Sequence, residues 1–352
     1  MNKISLATLF SGIGAPEFAA REVFGEVKTV FACEIDKYAR QSYLANHEID
    51  EAKFFTDIKE FDARPYTGQI DILIGGSPCQ DFSSAGLRAG VCGSRGSLVW
   101  EYLRVLRECK PRVFVFENVK GLISVSHASA FYALIEEFRK LGYYCHSQVV
   151  NTKDYGIPQN RERLYIIGFL DAREYHAFSL VPKTGCGRLA DYLDRDVNEK
   201  YFLSDKALAY FHSKHPKFNG KFEPRDENED VATTITTNPG HRRTDTFIKV
   251  VGELDAKGNE NIRRVYDTCG IAPTLTTATG GGHTPKILQR ARIRKLTPRE
   301  CLRLQGFPES FKIVVSDTQA YKQAGNAMSV NVVKMILEQI KLAKNKEFRL
   351  VG

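Results

Sequence analysis

The chain has 352 residues, of which 43% are hydrophobic and 26% charged; that length and balance suit a folded protein of two domains and argue against a disordered or fibrous class. A formal net charge of +8 is compatible with a polyanionic partner and equally with many metabolic enzymes, so charge alone assigns no function. The eight cysteines, at 33, 79, 92, 109, 145, 186, 269 and 301, include no Cys-x-x-Cys pair and no nearby Cys/His cluster, so neither a zinc site nor a disulfide framework is signalled, and a reducing compartment fits.

The first residues run directly into a strand-like segment without the layout of a signal peptide, and no apolar stretch has the length needed to span a bilayer. A cytoplasmic protein with no membrane partner is expected. Up to about residue 180, short apolar runs at 7–10, 30–33, 71–74, 113–116 and 164–169 alternate with amphipathic stretches such as 98–109 and 129–141. That alternation predicts an α/β fold with a doubly wound, mostly parallel sheet. From about 182 to 290 Thr, Asn, Gly, Pro, Lys and Arg dominate, and a second, smaller domain is expected. Helical spacing returns at 298–304 and at 330–342, where Val333, Ile336 and Ile340 share a face, so the first domain is expected to reclaim the C-terminus.

The first strand leads into Phe10-Ser11-Gly12-Ile13-Gly14, a glycine-cleared turn that lets backbone approach a nucleoside cofactor, although a plain packing turn would read the same. About twenty residues on, the second strand ends in Cys33-Glu34-Ile35-Asp36, where nucleotide-binding folds set a carboxylate on ribose hydroxyls. Thr56-Asp57-Ile58 offers a further acid beside an apolar side chain, suited to an adenine amino group and ring face or to a helix cap.

In Gly75-Gly76-Ser77-Pro78-Cys79-Gln80-Asp81-Phe82-Ser83, Cys79 stands on a Gly/Pro-shaped turn after an apolar strand, the position of a displayed nucleophile rather than of a space-filling thiol. The Gly/Ser-rich stretch from Ser83 to Gly96 reads as a mobile lid or as a surface loop. Glu117 leaves the strand 113–116 at the carboxyl edge that also carries Cys79; partial desolvation there favours general-acid work, with helix capping as the alternative. Arg161 and Arg163 precede the strand at 164 and by alternation point to one side, as a clamp for a base carbonyl, a phosphate or Glu117, or as solvated cations.

Taken in this order, the segments resemble the C5-cytosine DNA methyltransferases over almost the whole chain: 10–14, Glu34, Asp57, 75–83, Arg95-Gly96, Glu117-Asn118-Val119, 159–163, 294–301 and Gln323-Ala324-Gly325-Asn326-Ala327-Met328. Only about 182–262 is poorly covered, and Ser11 and Ala15 stand where the family often has Ala and Gly. The resemblance implies a Rossmann-like S-adenosylmethionine-dependent methyltransferase fold, with a catalytic domain at 1–181 plus 319–352 and a target-recognition domain and hinge at 182–318.

It further implies that the Cys79 thiolate adds to C6 of a flipped cytosine, making C5 enamine-like and able to take a methyl group. Glu117 matches the acid that engages N3 and the exocyclic amine; Arg163 and Arg161 match the residues that support the ring oxygen and hold that carboxylate. The implied cofactor is S-adenosyl-L-methionine, released as S-adenosyl-L-homocysteine, on Phe10, Gly12, Ile13, Gly14, Glu34, Ile35, Asp57, Ile58 and Pro78, with Asn326 reaching back to the first glycine turn; no metal is required. The implied partner is double-stranded DNA, met by Gln80, Ser83, Ser84, Arg95, Arg264, Thr274, Leu275 and Gly281, with the enzyme expected to act as a monomer and a cognate restriction endonuclease as a functional companion rather than a stable partner.

The stretches 231–240 and 271–280 repeat one Thr-rich pattern forty residues apart, and Arg242 and Arg243 follow the first copy, so both repeat loops are expected to face the duplex. A tRNA methyltransferase of the same chemistry and an inactive DNA-binding relative are the alternatives.

Overall fold

The computed structural model describes residues 3–78, 98–182, 185, 187–202, 204, 250–253, 264–266, 272–273, 286–289 and 292–349. A seven-stranded sheet in the order β3-β2-β1-β4-β5-β8-β6 organises the larger part. Its strands are β1 (Ile4–Leu9), β2 (Val27–Cys33), β3 (Phe54–Phe55), β4 (Ile72–Gly75), β5 (Val113–Val119), β6 (Tyr144–Asn151) and β8 (Glu162–Phe169). The first five pair in parallel, while β8 lies antiparallel between β5 and β6.

Side-chain alternation along these strands feeds two cores. Leu6, Ile72, Ile74, Val113, Val115 and Ile167 enter one; Ala7, Leu9, Leu73, Phe114, Phe116 and Ile166 enter the other. Because both faces are covered, β1, β4 and β5 read as continuous apolar runs. Helices α3 (Leu98–Cys109) and α4 (Ala128–Lys140) cover the second face through Tyr102, Leu106, Leu134 and Phe138. The first face is covered by α1 (Ala15–Phe24) and α8 (Val330–Arg349), the latter through Val333, Ile336 and Ile340. Leu296, Leu302, Leu304, Phe307 and Phe311 join that same core, so the stretch around α6 (Pro298–Arg303) packs on the large sheet.

A second sheet runs β13-β12-β10-β9, made of β9 (Val250–Glu253), β10 (Arg264–Tyr266), β12 (Lys286–Gln289) and β13 (Arg292–Lys295). Among the described residues an ion pair helps fasten it to the larger part. The Arg294 side chain on β13, fully buried, meets both oxygens of Glu300 on α6 at 2.8 Å each. Glu300 also accepts the Thr297 N–H at 2.7 Å, completing a capping box, and the Asp194 N–H at 2.8 Å.

Candidate active site

In parallel sheets the crevice opens where strand order reverses, here between β1 and β4, whose neighbours on the far side are β2 and β5. The exits of β1 to β6 lie along that edge. The β1 exit is a strained turn, with Phe10 at φ 53°, Gly12 at φ 56° and Gly14 at φ 84°. Gly14 serves as the left-handed cap of α1, and a Cβ there would overlap the His47 ring. The Gly12 N–H donates to Glu34 Oε2 at 2.8 Å, and Glu34 Oε1 accepts the Asp36 N–H at 2.8 Å. Burial raises the Glu34 carboxyl pKa, against the lowering effect of these N–H donors.

The neighbours of Glu34 suit a nucleoside. Ile35 is 68% exposed, an apolar side chain presented to solvent beside the carboxylate. Asp57 is half-buried and accepts the Lys59 N–H at 2.9 Å. Ile58 lies in the core, and its carbonyl accepts from Arg104 at 2.6 Å. Ile13 is buried as well, its carbonyl 3.1 Å from His47 Nε2.

At the β4 exit two glycines allow close approach of neighbouring strands. A Cβ on Gly75 would lie 2.7 Å from the Leu9 carbonyl; one on Gly76 would lie 2.8 Å from Glu117 Oε2. Glu117 therefore reaches across the start of the turn that leads to Cys79. Asn118, buried, donates from Nδ2 to the Ser77 carbonyl at 3.0 Å and fixes that turn; Pro78 follows, exposed. Cys79, Gln80, Ser83, Ser84 and Arg95 lie outside the described residues. The described thiols are poor candidates for a nucleophile: burial pushes Cys33, Cys109 and Cys145 up to about 12 and raises Cys301 as well.

Glu117 Oε1 meets Arg163 Nε at 3.3 Å, and both side chains retain partial exposure. Arg163 also donates to the Glu162 carbonyl at 2.8 Å, and Lys120 pairs with Glu162 at 2.6 Å. Arg161 is buried, and burial lowers its guanidinium to about 9, with Arg163 lowering it further and Glu117 opposing; it remains a cation at neutral pH. Its Nη2 donates to the carbonyls of Gly325 at 3.2 Å and Ala327 at 2.9 Å, the residues on either side of Asn326.

Asn326 itself ends α7 (Asp317–Asn326) and is exposed. That helix docks on α2 (Lys37–Asn46): Lys322 pairs with Asp36 at 2.7 Å, and Gln323 bonds Ser42 Oγ at 3.0 Å and the Tyr38 carbonyl at 2.9 Å. Among the described residues no group of three His, Cys, Asp or Glu side chains has metal-binding geometry.

The short strand β11 (Ala272–Pro273) pairs in parallel with β7 (Gln159–Asn160), directly before Arg161. The second copy of the Thr-rich repeat thus begins beside the arginine pair. Thr274, Leu275, Gly281, Arg242 and Arg243 lie outside the described residues, while Arg264 opens β10.

A model of the family described as C-5 cytosine-specific DNA methylase matches residues 4–342. The chain belongs to that family. The type II methyltransferase M.NlaX of Neisseria lactamica is 33% identical over 337 residues, covering 95% of each chain. M1.ScrFI of Lactococcus lactis subsp. cremoris, also a type II methyltransferase, is 34% identical over 345 residues, covering 96% of this chain and 78% of its own. Among solved structures, the S. pombe Dnmt2 methyltransferase aligns with a TM-score of 0.67 at 19% identity, over 96% of this chain and 98% of that one. A putative DNA modification methyltransferase encoded within an E. coli prophage gives 0.63 at 21%, over 97% and 100%. Those two likenesses carry the Rossmann-like methyltransferase fold.

Three features of this chain escape sequence reading: the Asn118 clamp on Ser77, the Arg294–Glu300 fastening, and the polar groups beneath the glycine turn. Only Asn118 carried a signal, its place beside Glu117. His47 belongs to the third group, its ring packed on Phe18 and Tyr43. Burial, with the Arg21 charge second, depresses its pKa from 6.5 to about 3, against the Ile13 carbonyl. The unfolded chain therefore binds a proton that the native state refuses, and stability falls as pH drops from 6.5 toward 3, by up to about 1.4 kcal/mol per pH unit. His47→Gln is expected to flatten that acid limb; melting temperatures of both proteins at pH 7 and pH 4 measure it, and equal slopes would contradict the assignment.

Proposed function

We propose that this methylase transfers a methyl group to C5 of a flipped cytosine in a specific duplex sequence, through a covalent bond between Cys79 and C6. The observation that carries the reading is the Glu117–Arg163 pair, 3.3 Å apart, lying over Gly76 at the start of the turn whose Ser77 carbonyl Asn118 grips two residues before Cys79. An acid and a guanidinium thereby converge on the strand edge from which the chain runs on to Cys79.

In this reading the Cys79 thiolate forms the sulfur–carbon bond at C6, and the electron density gained by the ring is met at N3 and the exocyclic amine by Glu117. Arg163 holds the Glu117 carboxylate and supports the ring oxygen. Arg161, through the Gly325 and Ala327 carbonyls, holds the segment that presents Asn326. S-adenosyl-L-methionine supplies the electrophilic methyl group when bound. The residues present fit it: Glu34 stands at the strand edge for a ribose, Ile35 exposes an apolar face, and the turn at 10–14 brings backbone close. Phe10, Gly12, Ile13, Gly14, Asp57, Ile58 and Pro78 complete that side. Loss of the C5 proton and expulsion of Cys79 by β-elimination close the cycle.

Double-stranded DNA is the substrate. The stretch 182–318 is assigned to target reading and hinge, with 1–181 plus 319–352 as the catalytic part; Gln80, Ser83, Ser84, Arg95, Arg242, Arg243, Arg264, Thr274, Leu275 and Gly281 face the duplex. Methyl transfer from labelled cofactor to plasmid DNA, with bisulfite sequencing to place the mark, tests the activity. DNA carrying 5-fluorocytosine tests the chemistry: the protein is expected to form a covalent adduct, and an adduct persisting in Cys79→Ala would sink the mechanism.

A further inference from the structure

Beneath the glycine turn lies a buried polar chain that the proposed chemistry does not use. Glu17, on the inner face of α1 between Ala15 and Ala19, is 1% exposed. Its Oε1 accepts from Thr8 Oγ1 at 2.7 Å and from Tyr43 Oη at 2.8 Å, while Oε2 is buried and has no partner among the described residues. Thr8 Oγ1 lies 2.8 Å from Ser11 Oγ. Ser11 Oγ in turn accepts the Cys33 N–H at 3.1 Å and lies 3.1 Å from the Cys33 carbonyl, to which its hydroxyl can donate; the Ser11 backbone N–H reaches that carbonyl at 3.0 Å. The chain thus runs from α1 through β1 to the last residue of β2, immediately before Glu34.

A carboxyl group in this place is costly to bury, whereas a leucine would satisfy the apolar face of α1 at no such cost. The acid therefore performs a polar task. The turn it supports needs one: Phe10 is a non-glycine residue at φ 53°, a conformation that persists only when its surroundings over-determine it. Ser11 follows it in the chain, and its hydroxyl joins its backbone N–H in tying the β1 exit to the β2 exit.

We propose that Glu17, Thr8 and Ser11 are positioning residues that lock the Gly12 N–H against Glu34 and so set the affinity for the nucleoside part of the cofactor. The proposal rests on the reading of Glu34 as the ribose-binding carboxylate. With one oxygen accepting from Gly12 and the other from Asp36, the Glu34 carboxylate is held in one orientation, and its remaining acceptor capacity is what the proposed reading assigns to the ribose hydroxyls. A loosened turn lets the carboxylate rotate and loses that orientation.

The test is the dissociation constant of S-adenosylhomocysteine, measured by calorimetry on the full chain without DNA, beside melting temperature and the separate kcat and cofactor KM. Ser11→Ala and Thr8→Val are expected to weaken binding roughly tenfold, about the worth of one well-placed hydrogen bond, with KM rising more than kcat falls. Glu17→Gln, which keeps an acceptor oxygen toward Thr8 and Tyr43, is expected to retain most of the affinity; Glu17→Leu is expected to lose it. A purely structural role would lower the melting temperature and leave the dissociation constant of the folded protein unchanged. Binding within about twofold of wild type in both Ser11→Ala and Thr8→Val overturns the proposal, and these two variants decide the matter even if Glu17→Leu does not fold. Glu34→Ala separates the two layers: if it binds as wild type, the ribose reading fails and the proposal with it; if it alone loses binding, only the positioning relay fails.

Discussion

Glu117→Gln is expected to lower kcat by roughly 10²–10⁴-fold, the range for loss of a positioned acid–base group. The substitution keeps the shape of the side chain over Gly76 but replaces the carboxylate that meets Arg163. Affinity for S-adenosylhomocysteine is expected to stay within about threefold of wild type, because the carboxylate proposed to face the cofactor is Glu34, just past the end of β2. The stability cost is expected near 1 kcal/mol, since Arg163 keeps the Glu162 carbonyl and is partly solvated. Single-turnover rates at saturating DNA and cofactor check this. A rate within threefold of wild type would remove Glu117 from the chemistry and leave it as a strand-end partner for Arg163.

The largest effect on stability is expected at the Arg294–Glu300 pair. Breaking a fully buried ion pair by removing one partner typically costs about 3–5 kcal/mol, because a desolvated charge remains. The two halves are not equivalent. Glu300 also accepts the Thr297 and Asp194 N–H groups, so Arg294→Met leaves a carboxylate with two donors. Glu300→Leu strips the carboxylate from Arg294 and two backbone donors together, and is expected to be the more damaging variant. Arg294→Met combined with Glu300→Leu should cost less than the sum of the single changes. Urea midpoints of the three variants measure the order; additive losses would show that the pair acts as two independent groups.

The sheet and its carboxyl edge were legible because their physics is local. Strands buried on both faces, such as β1, β4 and β5, announce themselves as apolar runs, and the edge they share follows from the parallel direction. Helix α3 showed in its apolar spacing for the same reason. Strand β6, with the sequence Tyr-Cys-His-Ser-Gln-Val-Val-Asn, lies at the sheet edge, and little but its pairing with β8 marks it as a strand. The antiparallel direction of β8 is likewise a property of the route the chain takes and not of residues 162–169.

The site divides along the same line. Glu34, Glu117 and Arg163 could be placed because each sits at a strand end whose position the pattern predicts. The described bonds of the Arg161 guanidinium run to Gly325 and Ala327, partners more than 160 residues away in the chain, which spacing on one strand does not reveal. Glu17 reads in sequence as an acid in the first turn of a helix, favourable there for the helix dipole. Only the packing of α1 against β1 turns it inward onto Thr8.

The two-residue ladder between β11 and β7 bears on how such a protein can acquire a new target. Ala272 and Pro273 pair in register with Gln159 and Asn160, so part of the stretch proposed to read the target is joined to the segment that delivers Arg161 and Arg163. A chimera that imports foreign reading loops therefore needs its junctions placed to keep that ladder, and Arg294 at the far end, in the host. If the proposed assignment of 182–318 to target reading holds, cuts inside 272–273 are expected to disturb the arginines as well, so that a swap intended to redirect the protein would instead slow it on every sequence.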